Sequence, residues 1–332
     1  MGYSLIHYLK NLPLQYYLEG GFIQIRGPTI SLFLSTKESA ALVCRGHRAY
    51  GFEAEIANLP DAPPVNGVDS DRGIVSASRT FSEKLLTRSR ANGVPRFIFV
   101  PDLGSSDLYC NVHNVANLRE LNVETLLESL NEDPRQVFGS WDESRRFRWA
   151  VFNTQLEAVQ GVFERRIQEV IIVGIPADHC EQLEVWTDTQ RGTLLGIVPL
   201  PLACLKWFCA SIPLGRKTAF ILLMLEHAVL LAVVQDQKVV LFRQYIEDPE
   251  FVYHEIPVLA SELRAEEFEI FVWSSRPVSE DVAVTLAGTE LTGEVLRQIN
   301  GRAVVVRKSD GSKLELNGPI PHLLLWLENR IA

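Results

Sequence analysis

The sequence predicts an α/β protein in which one fold unit occurs twice, as two lobes that each contain a mixed sheet. A three-stranded antiparallel meander is predicted near residue 21, where apolar and polar residues alternate, and again near residue 219, where apolar runs are separated by short polar breaks. Apolar strands separated by helical stretches follow each meander, an order typical of parallel strands. A length of 332 residues suits two lobes of roughly 150 residues each.

Composition predicts a folded chain and disfavours several classes of function. Hydrophobic residues make up 47% of the chain and charged residues 22%, unlike the composition of disordered proteins. The formal net charge of -9 argues against non-specific nucleic-acid binding, which requires Lys and Arg to neutralise phosphates. The five cysteines include no Cys-x-x-Cys pair, which favours free thiols in a reducing compartment over a zinc site.

The apolar segments favour a cytoplasmic location. Residues 1–20 lack the features of a secretory signal. Leu5, Ile6 and Leu9 have helical spacing, which fits a helix docked on its own domain or one lying on a membrane or a partner. The most apolar segment, Ala219 to Val234, is interrupted by charge and is shorter than the ~20 residues that span a membrane.

The first meander spans Gly21 to Glu55, with turn candidates at Gly27-Pro28 and Arg45-Gly46-His47. A surface loop is expected from Asp61 to Gly73, because the segment is rich in Pro, Asp and Gly. A helix is predicted from Phe81 to Ala91, before an Asn-Gly stop.

A small subdomain is predicted to follow the first meander. Arg96 to Val100 is an apolar strand, and Leu108 to Val112 is its predicted hairpin partner. Asn122 is expected to cap a helix from Val123 to Leu130. Arg148 to Thr154 is predicted to be the next strand.

The middle of the chain predicts a parallel crossover. Val170 to Pro176 is a strand of the kind that is buried on both faces. A helix from Ala177 to Gln190, closed by Gly192, leads to a strand from Thr193 to Val198. An apolar helix is expected from Leu200 to Ala210.

The second meander is predicted from three apolar runs: Ala219 to Leu225, Ala228 to Gln235 and Lys238 to Tyr245. A helix from Glu255 to Glu267 and a buried strand from Phe268 to Trp273 are expected next.

The last elements are a hairpin and a terminal helix. Ala303 to Arg307 is expected to pair with Lys313 to Leu316. The apolar helix that begins near Pro319 is predicted to dock on the second lobe, or else to present a surface to a partner.

Five phrases in this order resemble a known family, and one of them, Asn117 to Pro134, is similar to an acidic helix of that family. Arg96 to Asp107 looks like the strand and turn that open a small inserted subdomain. Val170 to Asp178 looks like the strand and helix start through which the chain enters the second lobe. Gly196 to Ala203 looks like the strand, short turn and apolar helix that follow. Ala219 to Gln244 looks like the second meander. Together they resemble the PilM and GspL cytoplasmic-domain family, FtsA-related platform proteins of type IV pili and type II secretion.

The resemblance implies an actin-like (ribonuclease H-like) duplicated fold of two lobes, with mixed five-stranded sheets and a small inserted subdomain. The first lobe would span 1–170, including an inserted α/β subdomain at about 95–155, and the second lobe 171–332. The resemblance also implies a cytoplasmic scaffold that lies peripherally at the inner membrane.

The nucleotide site of this fold is expected to be degenerate. Nucleotide-binding relatives place an Asp and Gly turn in each meander, where backbone N–H groups approach phosphate. Gly27 is followed by Pro28, which has no N–H, and Thr29 follows. The other positions expected to face the nucleotide contain no glycine: Glu226, His227, Ser274 and Ser275. No cofactor is therefore expected, and ATP with magnesium is the alternative.

Motifs for other chemistry were not found in the sequence. The histidines do not pair at metal-ligand spacing, and neither a nucleophile elbow nor a Walker loop occurs. Glu226 and His227 fit a solvated hairpin tip better than an acid/base pair. We expect no metal site, no catalytic residues and no enzyme activity.

The partner implied by the resemblance is the short cytoplasmic tail of a PilN-type bitopic inner-membrane protein, in a groove beside the inserted subdomain. The residues expected at this groove are apolar: Phe97, Phe99, Leu118, Leu121, Leu126 and Leu127. An extended tail would gain main-chain hydrogen bonds and side-chain pockets there. A pilus assembly ATPase and other copies of the chain are further partners that the resemblance implies. The alternatives are an ATPase of the actin and sugar-kinase group with unusual phosphate loops, and a small-molecule enzyme with an unrecognised site.

Overall fold

The computed structural model describes residues 26–34, 38–45, 48–56, 94–103, 107–114, 122–141, 145–159, 161, 169–211, 218–225, 229–245, 250–265, 268–274, 297–298, 304–307, 313–316 and 319–331. The predicted segments at 1–20, 61–73 and 81–91 lie outside the described residues.

The described residues form fifteen strands and six helices. The strands are β1 (Arg26–Leu34), β2 (Glu38–Arg45), β3 (Arg48–Ile56), β4 (Val94–Pro101), β5 (Tyr109–Asn114), β6 (Phe147–Asn153), β7 (Glu169–Pro176), β8 (Thr193–Ile197), β9 (Thr218–Met224), β10 (Val229–Gln235), β11 (Lys238–Tyr245), β12 (Phe268–Ser274), β13 (Arg297–Gln298), β14 (Val304–Arg307) and β15 (Lys313–Leu316). The helices are α1 (Val123–Glu132), α2 (Arg135–Phe138), α3 (Ala177–Thr189), α4 (Leu200–Ser211), α5 (Glu250–Glu262) and α6 (Pro319–Ile331).

Two five-stranded sheets have the same strand order. One runs β3-β2-β1-β4-β8 and the other β11-β10-β9-β12-β13. In each, the first three strands form an antiparallel meander, and the remaining two are parallel to the meander's first strand. This repetition confirms the predicted duplication of a mixed five-stranded sheet.

The described residues group into two compact units. The first unit draws on 1–102, 175–203 and 301–332, and the second on 103–174 and 204–300. This grouping differs from the boundary predicted after residue 170, because β8 pairs with β4 and so lies in the first sheet.

Two predicted strand pairings are wrong. The predicted hairpin between β4 and β5 does not form, because β4 pairs with β1 on one edge and with β8 on the other. Instead, β5 pairs antiparallel with β7 in a three-stranded sheet of order β5-β7-β6. The predicted crossover from β7 to β8 within one sheet is wrong for the same reason, since these strands belong to different sheets.

In the first unit, α6 packs against β1 and β2. Its buried residues Ile320, Leu323, Leu324 and Leu327 have the i, i+3, i+4, i+7 spacing of one helix face. The expectation that this helix docks on the second lobe is therefore wrong. The apolar spacing identifies the buried face of a helix but does not identify the sheet that covers it.

In the second unit, α5 covers the sheet of the second meander. Val252, Ile256 and Leu259 lie on one face of the helix and pack with residues of β9, β10 and β12. The helix begins at Glu250, five residues before the predicted start, and it continues through Pro257.

Several tight turns place non-glycine residues at positive φ. Asp236 and Gln237, at φ 50° and 60°, form the two-residue turn between β10 and β11. A type I′ turn requires positive φ at both of its central residues, as found here. Arg191, at φ 53°, ends α3, where its N–H donates to the Asp188 carbonyl and that of Gly192 to the Thr187 carbonyl. These two bonds define a Schellman motif with arginine at the left-handed position.

Candidate functional site

The candidate phosphate turn of the first meander is not at Gly27. Gly27 and Thr29 lie inside β1, so the turn predicted at Gly27-Pro28 is wrong. The Thr29 side chain is buried, and its Oγ1 accepts a hydrogen bond of 2.8 Å from Nη2 of Arg96. The link between β1 and β2 consists instead of residues 35–37.

The candidate positions of the second half fall at the ends of strands. Glu226 and His227 belong to the link between β9 and β10 and lie outside the described residues. Ser274 is the last residue of β12, and Ser275 also lies outside the described residues. Their role at a nucleotide site stays a prediction.

Two of the residues predicted to bind a partner are core residues of the first unit. The rings of Phe97 and Phe99 are at most 1% exposed and pack edge-on against Trp186, with centroids 5.1 Å and 5.6 Å away. Because a docked peptide gains free energy only from surface that is accessible before binding, these two rings contribute nothing directly.

The remaining predicted partner residues belong to the second unit or lie outside the description. Leu126 is fully buried on α1, whereas Leu127 is half-buried beside it. Leu118 and Leu121 lie outside the described residues. Of the six predicted residues, Leu127 is the one whose described side chain retains accessible surface.

Sequence reasoning missed an aromatic cluster on the small sheet. Tyr109, Phe138, Trp141 and Trp149 pack with ring centroids 4.6 Å to 5.6 Å apart, and Phe147 extends the cluster. Trp149 and Phe147 are buried and the others half-buried. The density of aromatic residues between 138 and 149 was the available signal, because such rings favour mutual contact.

His113 lies at the edge of this cluster. Its Nε2 atom is 2.7 Å from the Tyr109 hydroxyl, and its ring packs on Phe138 at 5.0 Å. Burial lowers the pKa of His113 below its ordinary value. Burial also raises the pKa of Tyr109 and raises that of Cys110 to about 12, so both stay neutral while His113 titrates.

We expect acid to destabilise the protein through His113. A lowered folded-state pKa means that the unfolded state binds the proton more readily, so the stability contribution is present above about pH 6.5 and lost as pH falls below it. Urea unfolding between pH 7.5 and 5 should therefore show a steeper loss for the wild type than for His113→Gln, which cannot titrate. Parallel pH profiles would contradict this assignment.

A second polar cluster in the second unit is structural. Arg243 Nη1 on β11 lies 3.0 Å and 3.1 Å from the two carboxylate oxygens of Glu255 on α5. The Tyr245 hydroxyl donates to the same carboxylate. Through these donors, Glu255 links α5 to β11.

Among the described residues, no group of three or more His, Cys, Asp or Glu side chains is arranged to hold a metal ion. Within the same part of the chain, no helix is both long and apolar enough to cross a membrane.

Comparisons with known proteins show the fold. No family model and no curated protein matches the sequence. A Bacteroides thetaiotaomicron protein of actin-like ATPase fold and unknown function is 11% identical, with 83% of this chain and 94% of that chain covered and a TM-score of 0.52. The PilM-PilN type IV pilus biogenesis complex is 12% identical, with 82% and 88% covered and a TM-score of 0.53.

A further similar structure is the cytoplasmic domain of EpsL, an inner membrane component of the Vibrio cholerae type II secretion system. It is 12% identical, with 92% of this chain and 96% of that chain covered and a TM-score of 0.46. The two likenesses above 0.5, together with the repeated strand order, show that the chain has the actin-like fold.

Proposed function

We propose that this chain, whose fold is actin-like, is a platform protein of a type IV pilus or type II secretion-like machine. In this proposal it binds the cytoplasmic tail of a PilN-type inner-membrane protein and does not hydrolyse ATP. It would lie in the cytoplasm, peripherally at the inner membrane. The likeness to the PilM-PilN complex supports the kind of partner.

The links between the first two strands of the two meanders carry this proposal. Residues 35–37, Ser-Thr-Lys, join β1 to β2, and residues 225–228, Leu-Glu-His-Ala, join β9 to β10. Neither link contains glycine or aspartate. A phosphate cradle of backbone N–H groups favours glycine, whose missing side chain lets the backbone approach the anion. Links that contain neither glycine nor aspartate therefore favour a scaffold over an ATPase.

One observation favours the alternative, an active ATPase with unusual phosphate loops. Ser35, Thr36 and Lys37 carry two hydroxyls and an ammonium group, which are donors that phosphate accepts. The two functions therefore differ in one measurable property, the binding of ATP with magnesium.

We expect the folded protein to bind a tail peptide and not to bind ATP. The peptides are the cytoplasmic tails of single-span membrane proteins encoded beside its gene. Isothermal titration of one protein sample should give micromolar binding of such a tail, because an extended segment adds main-chain hydrogen bonds and apolar contacts. The same sample should give no binding heat with Mg-ATP.

A tail of scrambled sequence is the control for the first titration. The bound tail shows that the protein is folded when ATP fails to bind. Micromolar ATP binding coupled to hydrolysis would establish the alternative, and binding of none of the tails would refute the platform role.

A further inference from the structure

Strand β5 of the second unit has an edge that faces away from its own sheet. The strand pairs with β7 along its whole length, from Tyr109 to Asn114. Among the described strands, none pairs with its other side, because the small sheet has the order β5-β7-β6. Strand β11 lies near β5 but belongs to a different sheet. Asn111 and Asn114 are exposed, so the edge lies at the surface.

The main-chain groups at this edge point away from β7. The N–H of Val112 donates at 2.8 Å to Oδ1 of Asn111, the side chain of its own neighbour. Successive residues of an antiparallel pair direct their main-chain groups to opposite sides. The N–H and C=O groups of Cys110 and Val112 therefore point outward, whereas those of Asn111 point to β7. A row of this kind is complementary to the main chain of another extended segment.

Aromatic side chains with accessible surface lie beside the edge. Tyr109 and His113 are on one face of β5, with ring centroids 6.0 Å apart and ring planes inclined by 20°. Both rings pack on Phe138, with centroids 4.6 Å and 5.0 Å away. All three side chains are half-buried, so a bound apolar side chain would remove further aromatic surface from water.

We propose that the tail binds along this edge of β5 as a fourth strand of the small sheet. This inference rests on the proposed function and identifies the surface that it uses. Alternate tail residues offer their N–H and C=O groups to Cys110 and Val112. The tail residue between them directs its side chain to the face that carries Tyr109, His113 and Phe138. A helical tail lacks the first property, because its main-chain groups bond within the helix.

The Asn111 side chain protects the edge when no tail is bound. Exposed strand edges promote aggregation, and natural proteins block them. The bond from the Val112 N–H to Asn111 is exchanged at little net cost for a bond to a tail carbonyl, because one acceptor replaces another. The apolar contacts of the tail then favour the bound state.

A set of N-methylated tail peptides tests the mode of binding without any change to the protein. The probe is the fluorescein-labelled tail peptide that binds the wild type, measured by fluorescence anisotropy. N-methylation removes one N–H at a time, so we expect binding to weaken about tenfold at the alternate residues that donate to β5. Methylation of the residue between them should leave binding unchanged. Loss of binding without this alternation would refute strand addition.

Three variants of the protein test whether the added strand lies on β5. Val112→Pro removes the outward N–H at an edge position that tolerates proline, so tail binding should weaken about tenfold. Val112→Ala is the matched control, because it keeps the N–H, and it should bind as the wild type does. Asn111→Ala releases the Val112 N–H from its neighbour and should tighten binding about threefold. Near-ultraviolet circular dichroism of the aromatic cluster checks that each variant is folded.

The outcomes separate this inference from the function on which it rests. A tail that binds all three variants as it binds the wild type would refute this edge and leave the platform role intact. A wild-type dimer that Val112→Pro separates without any change in tail affinity would assign the edge to a second copy of the chain and also refute the inference. If no tail binds the wild type, both the platform role and this surface are refuted.

Discussion

We expect Gly192→Ala to lower the free energy of unfolding by about 2 to 3 kcal/mol, the cost of forcing extra volume into a packed core. A Cβ atom at residue 192 would lie 2.2 Å from Cε2 of Phe97 and 3.0 Å from the carbonyl oxygen of Pro95. The Phe97 ring cannot move aside, because Phe99 and Trp186 pack around it. Urea unfolding followed by tryptophan fluorescence measures the loss.

Gly196→Ala is the matched control, four residues further along the chain in β8. None of the described atoms lies within 4 Å of a Cβ built at residue 196. This variant should unfold at an unchanged or slightly higher urea concentration, because alanine has less conformational freedom than glycine in the unfolded chain. Equal stability of the two variants would show that Phe97 does not occupy the space beside Gly192.

Gly174→Ala should destabilise the second unit by a similar amount, about 2 to 3 kcal/mol. A Cβ atom there would lie 2.4 Å from Cζ3 and 2.7 Å from Cε3 of Trp149. The indole ring is 3% exposed and lies among other aromatic rings, including Trp141 and Phe147. Urea unfolding measures the loss, and near-ultraviolet circular dichroism reports the displaced ring.

A double-mutant cycle with Trp149→Phe tests the cause. The smaller ring leaves room for the added methyl group, so Gly174→Ala should cost less in the Trp149→Phe background than in the wild type. A cost that is the same in both backgrounds would place the origin of the destabilisation elsewhere than in this contact.

Local patterns in the sequence predicted the elements of the fold better than their partners. Alternation of apolar and polar residues identified the strands of the first meander, whereas those of the second were identified as apolar runs, which β9 and β10 bury along almost their whole length. The placements of β5 and β8 were predicted wrongly, because the side-chain pattern of a strand does not specify which strand lies beside it. Their pairing depends on which sheet edges are still free, which is a property of the whole chain.

Gly192 shows a second limit of sequence reasoning. The glycine was expected to close the preceding helix, since glycine favours the left-handed position of a helix end. In the structure Arg191 occupies that position, and glycine is required at residue 192 because the Phe97 ring fills the space of a side chain. A glycine in a sequence indicates that a Cβ atom is excluded, but not by which neighbour.

The candidate site was predicted less well than the fold. Glycine and proline favour turns, so composition predicts the first phosphate turn at Gly27-Pro28, whereas the strand bounds place the link at residues 35–37. Phe97 and Phe99 were expected at a partner groove, but apolar residues on a central strand belong to the core.

The packing of α6 on β1 and β2 has a consequence for synthesis of the protein. The meander of the first unit leaves the ribosome early, but the helix that covers it emerges only after the second meander has been translated. Throughout that interval, apolar side chains that α6 later covers are open to water, to chaperones and to other nascent chains. A pause in translation before residue 319 would therefore leave the first unit incomplete and prone to aggregation.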